Sequence, residues 1–147
     1  TPWSDEEFKG FFEAVKKTGN VIVGSKTLSL FLESDFTDMG NPLVVVLSKN
    51  KDNKDKGKIK FADSPQKALE IMRDHGFESA LVTGGGQTNG AFLKQKLIDE
   101  IYLDIEPMIF AEGIPLFAPS DTLLNLEFID QKMLNKNTVQ LHYKIIK

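Results

Sequence analysis

Leu43-Val44-Val45-Val46-Leu47 is apolar at every position. Successive side chains of a strand point to opposite faces, so such a run is buried only where both faces of the sheet are covered. That requirement points to a parallel sheet between helices. Val21-Ile22-Val23 predicts a second buried strand over 21–24, and residues 79–83 predict a third. Helical patterns lie between the runs. Ser4 and Glu7 make a capping box ahead of Phe8, Phe11, Phe12 and Val15, which recur at helical spacing until Gly19 and Asn20 stop them. Residues 28–32 read as a short helix, followed by a polar loop through Gly40-Asn41-Pro42. The lysine-rich stretch 49–58 reads as a solvated connection and 58–61 as a short strand. Ser64 before Pro65 is an N-cap with proline at the first helical position. Ala68, Leu69, Ile71 and Met72 give that helix its apolar face, and Gly76 ends it. Ala91, Phe92, Leu93 and Leu97 predict one more helix.

Beyond residue 100 the period changes to two. Ile101, Leu103 and Ile105 alternate with polar residues, as do Leu124, Leu126 and Phe128, and then Val139, Leu141, Tyr143 and Ile145. Asn135-Lys136-Asn137 reads as the loop of a hairpin. The expected architecture is therefore an α/β sheet, mostly parallel, with an antiparallel C-terminal hairpin. At 147 residues, against ~150 per domain, one domain over 1–147 is expected.

Composition removes several function classes. Of the 18 cations only Arg73 is arginine, and 21 acidic residues leave a net charge of −3. No nucleic-acid partner is expected from that inventory. There is no cysteine, and His75 and His142 are the only histidines, so no metal site is expected. No apolar run approaches the ~20 residues of a membrane span and no signal peptide is visible, so a cytoplasmic protein without a membrane partner is expected.

Chemistry is expected at strand ends. Leu81-Val82-Thr83 runs into Gly84-Gly85-Gly86 and then a helix, a pattern that lets backbone amides approach an anion at a positive helix end. It is not a P-loop, since no Gly-Lys-Ser/Thr follows. As a dinucleotide fingerprint it is imperfect: Asn89 holds the third glycine's place, Gly90 comes one residue late, and Asp104 would be the acidic partner 20 residues on. Gly24-Ser25-Lys26-Thr27 and Ser48-Lys49 follow the other two buried strands. Ligands of open parallel sheets bind outside the carboxyl ends of the strands, so one long anion such as a dinucleotide could touch all three. His142 sits on the polar phase of the last strand and His75 in the last turn of a helix, and both read as structural. Glu6 and Glu7 are acidic groups near the same edge, Glu7 also serving the capping box.

Taken in order, Trp3 with the Phe-rich helix, Val-Ile-Val-Gly-Ser-Lys-Thr at 21–27, Leu-Val-Val-Val-Leu-Ser at 43–48 and Leu-Val-Thr-Gly-Gly-Gly at 81–86 resemble the dihydrofolate reductases and the related RibD C-terminal domain of riboflavin biosynthesis. Leu97-Ile98-Asp99-Glu100-Ile101, Pro107, Gly113 and Pro115-Leu116-Phe117 resemble the RibD type in particular, although Ala111 stands where that pattern usually has glycine. The resemblance implies a dihydrofolate reductase-like three-layer α/β/α sandwich that binds NADPH. It implies cofactor contacts at Gly24, Ser25, Lys26 and Thr27, at Leu47, Ser48 and Lys49, and at Thr83, Gly84, Gly85, Gly86, Gln87 and Thr88. Trp3, Phe8 and Phe12 fall on the substrate side, and Glu6 and Glu7 are the available proton donors. Ser25 stands where an arginine often grips the 2′-phosphate. The acidic place on the first helix of dihydrofolate reductases, counted from Trp3, falls on Phe8, which favours pyrimidine over pterin reduction. The family also begins with a strand and a substrate loop upstream of Thr1, so the sheet is expected to lack that strand. The expected function is NADPH-dependent reduction of a ribosylaminopyrimidine by a homodimer that uses part of 100–147. Pterin reduction is the alternative within the class, and a non-catalytic nucleotide-binding module the alternative outside it.

Overall fold

The structure is a computed structural model that describes residues 5–109 and 111–147, residues 5–8 as backbone only. Ser4, Trp3 and the side chains of Glu6, Glu7 and Phe8, named above for a capping box, proton donation and substrate contact, lie outside the described part. Four strands, β1 (Asn20–Gly24), β2 (Leu43–Leu47), β3 (Ile59–Ala62) and β4 (Val82–Gly84), form a parallel sheet in the order β3-β2-β1-β4. The double-phase apolarity of β2 has the predicted consequence. Val44 and Val46 pack with Val21 and Val23 against Val15 of α1 (Asp5–Thr18). Leu43 and Val45 pack with Ile22 on the opposite face, against Ala68 and Met72 of α4 (Pro65–Asp74) and Phe92 of α5 (Gly86–Lys94). These are the three layers of an α/β/α arrangement. Val44, Val45 and Val46 are each at most 2% exposed, and burial of one such side chain contributes about 1.5–3 kcal/mol.

Local signals act as read at α4, where the Ser64 hydroxyl accepts from the Lys67 amide at 3.1 Å. They act likewise at the last turn, where the Asn135 carboxamide oxygen accepts from the Asn137 and Thr138 amides, both at 2.9 Å. His75 caps α4, with Nδ1 2.9 Å from the Ile71 carbonyl.

Four details differ from expectation. The strand predicted from residue 79 begins at Val82, because Asn20 intervenes. Asn20 is fully buried at the start of β1. Its carboxamide donates to the Ser79 carbonyl at 2.8 Å and accepts from the Leu81 amide at 3.1 Å, so a side chain holds the approach to β4, and backbone pairing to β1 starts at the Leu81 carbonyl, which accepts from the Ile22 amide at 2.7 Å. A helix also stands where a loop was expected, α3 (Glu33–Asp38), preceded by the single turn α2 (Ser25–Leu28) in place of a helix at 28–32. The Asp35 carboxylate caps α3 by accepting from the Leu32 amide at 2.8 Å, and Phe36 and Met39 anchor it on the α1 side of the sheet. The helix after the glycines starts at Gly86, as the glycine pattern implies, but it ends at Lys94 and leaves Leu97 outside it. Finally, the antiparallel hairpin of β6 (Asn125–Met133) and β7 (Val139–Ile146) takes β5 (Glu100–Ile105) into a three-stranded sheet of its own, in the order β5-β7-β6.

Candidate functional site

The parallel register brings the predicted contacts to one edge. Gly24 lies opposite Leu47, and Gly84 opposite Val23, so β1, β2 and β4 end side by side. Thr27, on α2, and Thr88, in the first turn of α5, close the gap between β1 and β4. A Cβ built on Gly24 would stand 2.8 Å from Thr88 Oγ1, and one on Gly85 3.5 Å from Thr27 Oγ1. Thr83 turns its hydroxyl back to the Ile22 carbonyl at 3.4 Å. Ser48 organises the following loop by accepting from the Asn50 amide at 3.2 Å and from the Asn53 side chain at 3.1 Å, which leaves its proton to donate. Ser25, Lys26, Lys49 and Gln87 are exposed. Among the described residues, neither Lys26 nor Lys49 has an ion-pair partner.

The glycines of the 84–86 turn do different things. Gly84 has a φ of 118°, which side-chain-bearing residues rarely adopt. Gly86 faces the Pro115 carbonyl, which leaves no space for a Cβ. Gly85 meets only ordinary contact and is exposed. It is the N-cap of α5 and offers no side-chain cap, in contrast to Ser64 of α4. The first amides of a helix have no acceptor within it. Among the described residues no side chain caps those of Gly86, Gln87 and Thr88, which lie beside Gly85 at the positive end of the helix. Exposed at Gly85 and flanked by the Thr27 and Thr88 hydroxyls, this turn carries the kind of donors that an anion takes. The one-turn α2 is too short to contribute a dipole, so Ser25, Lys26 and Thr27 offer there their hydroxyls, an ammonium and single backbone amides.

Other predicted residues lie elsewhere or have structural roles. Phe12 packs, half-buried, in the core layer beside Phe11, with ring centroids 6.1 Å apart. Asp104, the acidic partner in the imperfect fingerprint, is on β5 in the other sheet, where its carboxylate accepts from Gln140 Nε2 at 2.9 Å. A parallel strand beside β4 is what that fingerprint needs, and among the described residues β5 pairs with β7, antiparallel. His142 lies 2.8 Å from the Glu100 carboxylate and stacks on Tyr102. Two open hollows, lined in part by Ile98, Leu124 and Ile145 and by Asp99, Glu127 and Lys144, share no residue with the glycine edge.

Sequence reasoning missed the partner of α5. Residues 115–118 lie across its first turn. The Ala118 amide donates to the Gly86 carbonyl at 2.9 Å, and Asn89 Nδ2 donates to the Leu116 carbonyl at 3.0 Å. The available signal was Gly90, whose missing Cβ makes room for Ala118 at 3.1 Å.

Residues 3–139 match the RibD C-terminal domain. The chain belongs to that family. Its fold is dihydrofolate reductase-like, within a superfamily of reductases. It resembles a protein ascribed to riboflavin biosynthesis from Shewanella sp. PV-4, with a TM-score of 0.79 and 24% identity over 99% of this chain and 84% of that one. It also resembles the diaminohydroxyphosphoribosylaminopyrimidine deaminase/5-amino-6-(5-phosphoribosylamino)uracil reductase of Thermotoga maritima, with a TM-score of 0.69 and 13% identity over 97% of this chain and 50% of that one. Bacillus subtilis YyaP is 24% identical over 98 residues, 67% of this chain and 52% of YyaP, so the RibD-type chain spans about half the length of that relative. Among the described residues no helix is long and apolar enough to cross a membrane.

Proposed function

We propose that this RibD-type chain is an NADPH-dependent reductase that acts on a ribosylaminopyrimidine such as 5-amino-6-(5-phosphoribosylamino)uracil. The observation that carries the reading is the uncapped N-terminus of α5 at Gly85, aligned by the sheet register with Gly24 and Leu47. The chemistry the cofactor supplies when bound is hydride donation, and the protein supplies position and charge. The amides of Gly86, Gln87 and Thr88 hold the pyrophosphate, the Ser48 hydroxyl donates along the same edge, and Lys26 and Lys49 are the cations for the 2′-phosphate. The name of the Thermotoga maritima relative supports the pyrimidine as substrate.

The test is a titration of NADPH and NADH against the chain and its Lys26→Ala and Lys49→Ala variants. A charge-assisted contact contributes ~1.5–3 kcal/mol, so losing the main one weakens NADPH roughly 10- to 100-fold and leaves NADH nearly unchanged. Equal effects on the two cofactors refute the placement of the 2′-phosphate. Cofactor oxidation with dihydrofolate but not with the pyrimidine moves the reading to pterin reduction. Binding without turnover of either makes the chain a nucleotide-binding module.

The same proposal includes a homodimer through the C-terminal sheet. Leu126, Phe128 and Met133, between 42% and 58% exposed, share one face of that sheet with Ile105. Light scattering that finds a monomer at high concentration refutes this part.

A further inference from the structure

Among the described residues, 112–118 form a strap fastened on the first turns of α5. One fastening is backbone, from the Ala118 amide to the Gly86 carbonyl at 2.9 Å. The other is a side chain, Asn89 Nδ2 to the Leu116 carbonyl at 3.0 Å. Ile114 is 93% and Leu116 50% exposed, while Phe117 is half-buried. Asn89 faces two ways. Its carboxamide nitrogen is also 3.5 Å from where a Cβ of Gly84 would stand, so the same group covers the residue that turns β4 into α5. Gly86 is shared as well. Its carbonyl holds the strap, its amide is one of the donors proposed for the cofactor phosphates, and its α-carbon lies against Pro115.

We propose that Asn89 is a positioning residue that couples the 112–118 strap to the glycine turn, so that a strap fastened on α5 holds the phosphate donors in place. The proposal rests on the cofactor reading above. Coupling of this kind is reciprocal. If the fastened strap favours the cofactor, the bound cofactor must favour the fastened strap. A side chain that merely stabilises the fold does not produce that second effect.

The experiment measures hydrogen exchange of residues 112–118 with and without NADPH, together with NADPH affinity, in the parent chain and in Asn89→Ala, Asn89→Gln and Gly90→Ala. In the parent, NADPH is expected to slow exchange in the strap. Asn89→Ala is expected to weaken NADPH about 5- to 10-fold, the worth of one net hydrogen bond, and to abolish the cofactor-induced protection. Asn89→Gln keeps the amide donor and should recover part of both. Gly90→Ala presses on Ala118 without touching Asn89, and it should reproduce both effects even where Asn89→Ala does not fold. Asn89→Ala binding NADPH like the parent overturns the proposal, as does parent strap exchange that bound NADPH leaves unchanged. If the parent chain binds neither NADPH nor NADH, the cofactor reading is what fails. The fastening is then judged on the free protein, where unchanged exchange at Ala118 in Asn89→Ala overturns it.

Discussion

Gly24→Ala tests the closure between β1 and α5. At φ −85° and ψ 165° the backbone of Gly24 suits alanine, so restricting the unfolded chain favours the substitution by ~0.4–1 kcal/mol. Against this, the new Cβ arrives 2.8 Å from Thr88 Oγ1, and Thr88 is only 4% exposed, with little room to withdraw. Overpacking of this kind costs about 1–3 kcal/mol. The expected net loss is about 1–2 kcal/mol, a fall in Tm of roughly 2–8 °C. Thr88→Ala removes the opposing atom. In that background Gly24→Ala should be neutral or stabilising by up to ~1 kcal/mol, so the pair couples by about 1–3 kcal/mol. Urea unfolding of the parent, the two single variants and the double variant measures the coupling. Additivity within ~0.5 kcal/mol would refute the contact and with it the closed edge.

Asn20→Leu should cost about 2–4 kcal/mol, because two buried cross-sheet hydrogen bonds are lost, and hydrogen exchange should quicken at Leu81. Ser64→Ala should cost about 1 kcal/mol in urea unfolding, as loss of an N-cap does, with no change in cofactor affinity. Phe128→Asp should convert the proposed dimer to a monomer in sedimentation velocity while far-UV circular dichroism stays unchanged. An unchanged sedimentation coefficient would place the interface elsewhere.

The residues of 43–47 determined the layered fold by themselves, because a run apolar on both phases has no stable home except a sheet covered on both faces. The Ser64-Pro65 cap and the Asn135 turn were equally legible, since a cap or a tight turn is completed by residues a few places away in the chain. The glycine edge was legible as three separate strand ends. Parallel register alone decided that Gly24, Leu47 and Gly84 stand together, because hydrogen bonds between strands distant in sequence set that register. The functions of the individual glycines, the hold of Asn20 on the chain ahead of β4, the helix at 33–38 and the seating of 115–118 on α5 were decided only in the tertiary structure. Each depends on a partner that the chain brings near only by folding: Pro115 for Gly86, Ser79 for Asn20, the sheet face for Phe36 and Leu116 for Asn89. Local sequence records what a backbone can do, and the surrounding fold selects which of those possibilities is used.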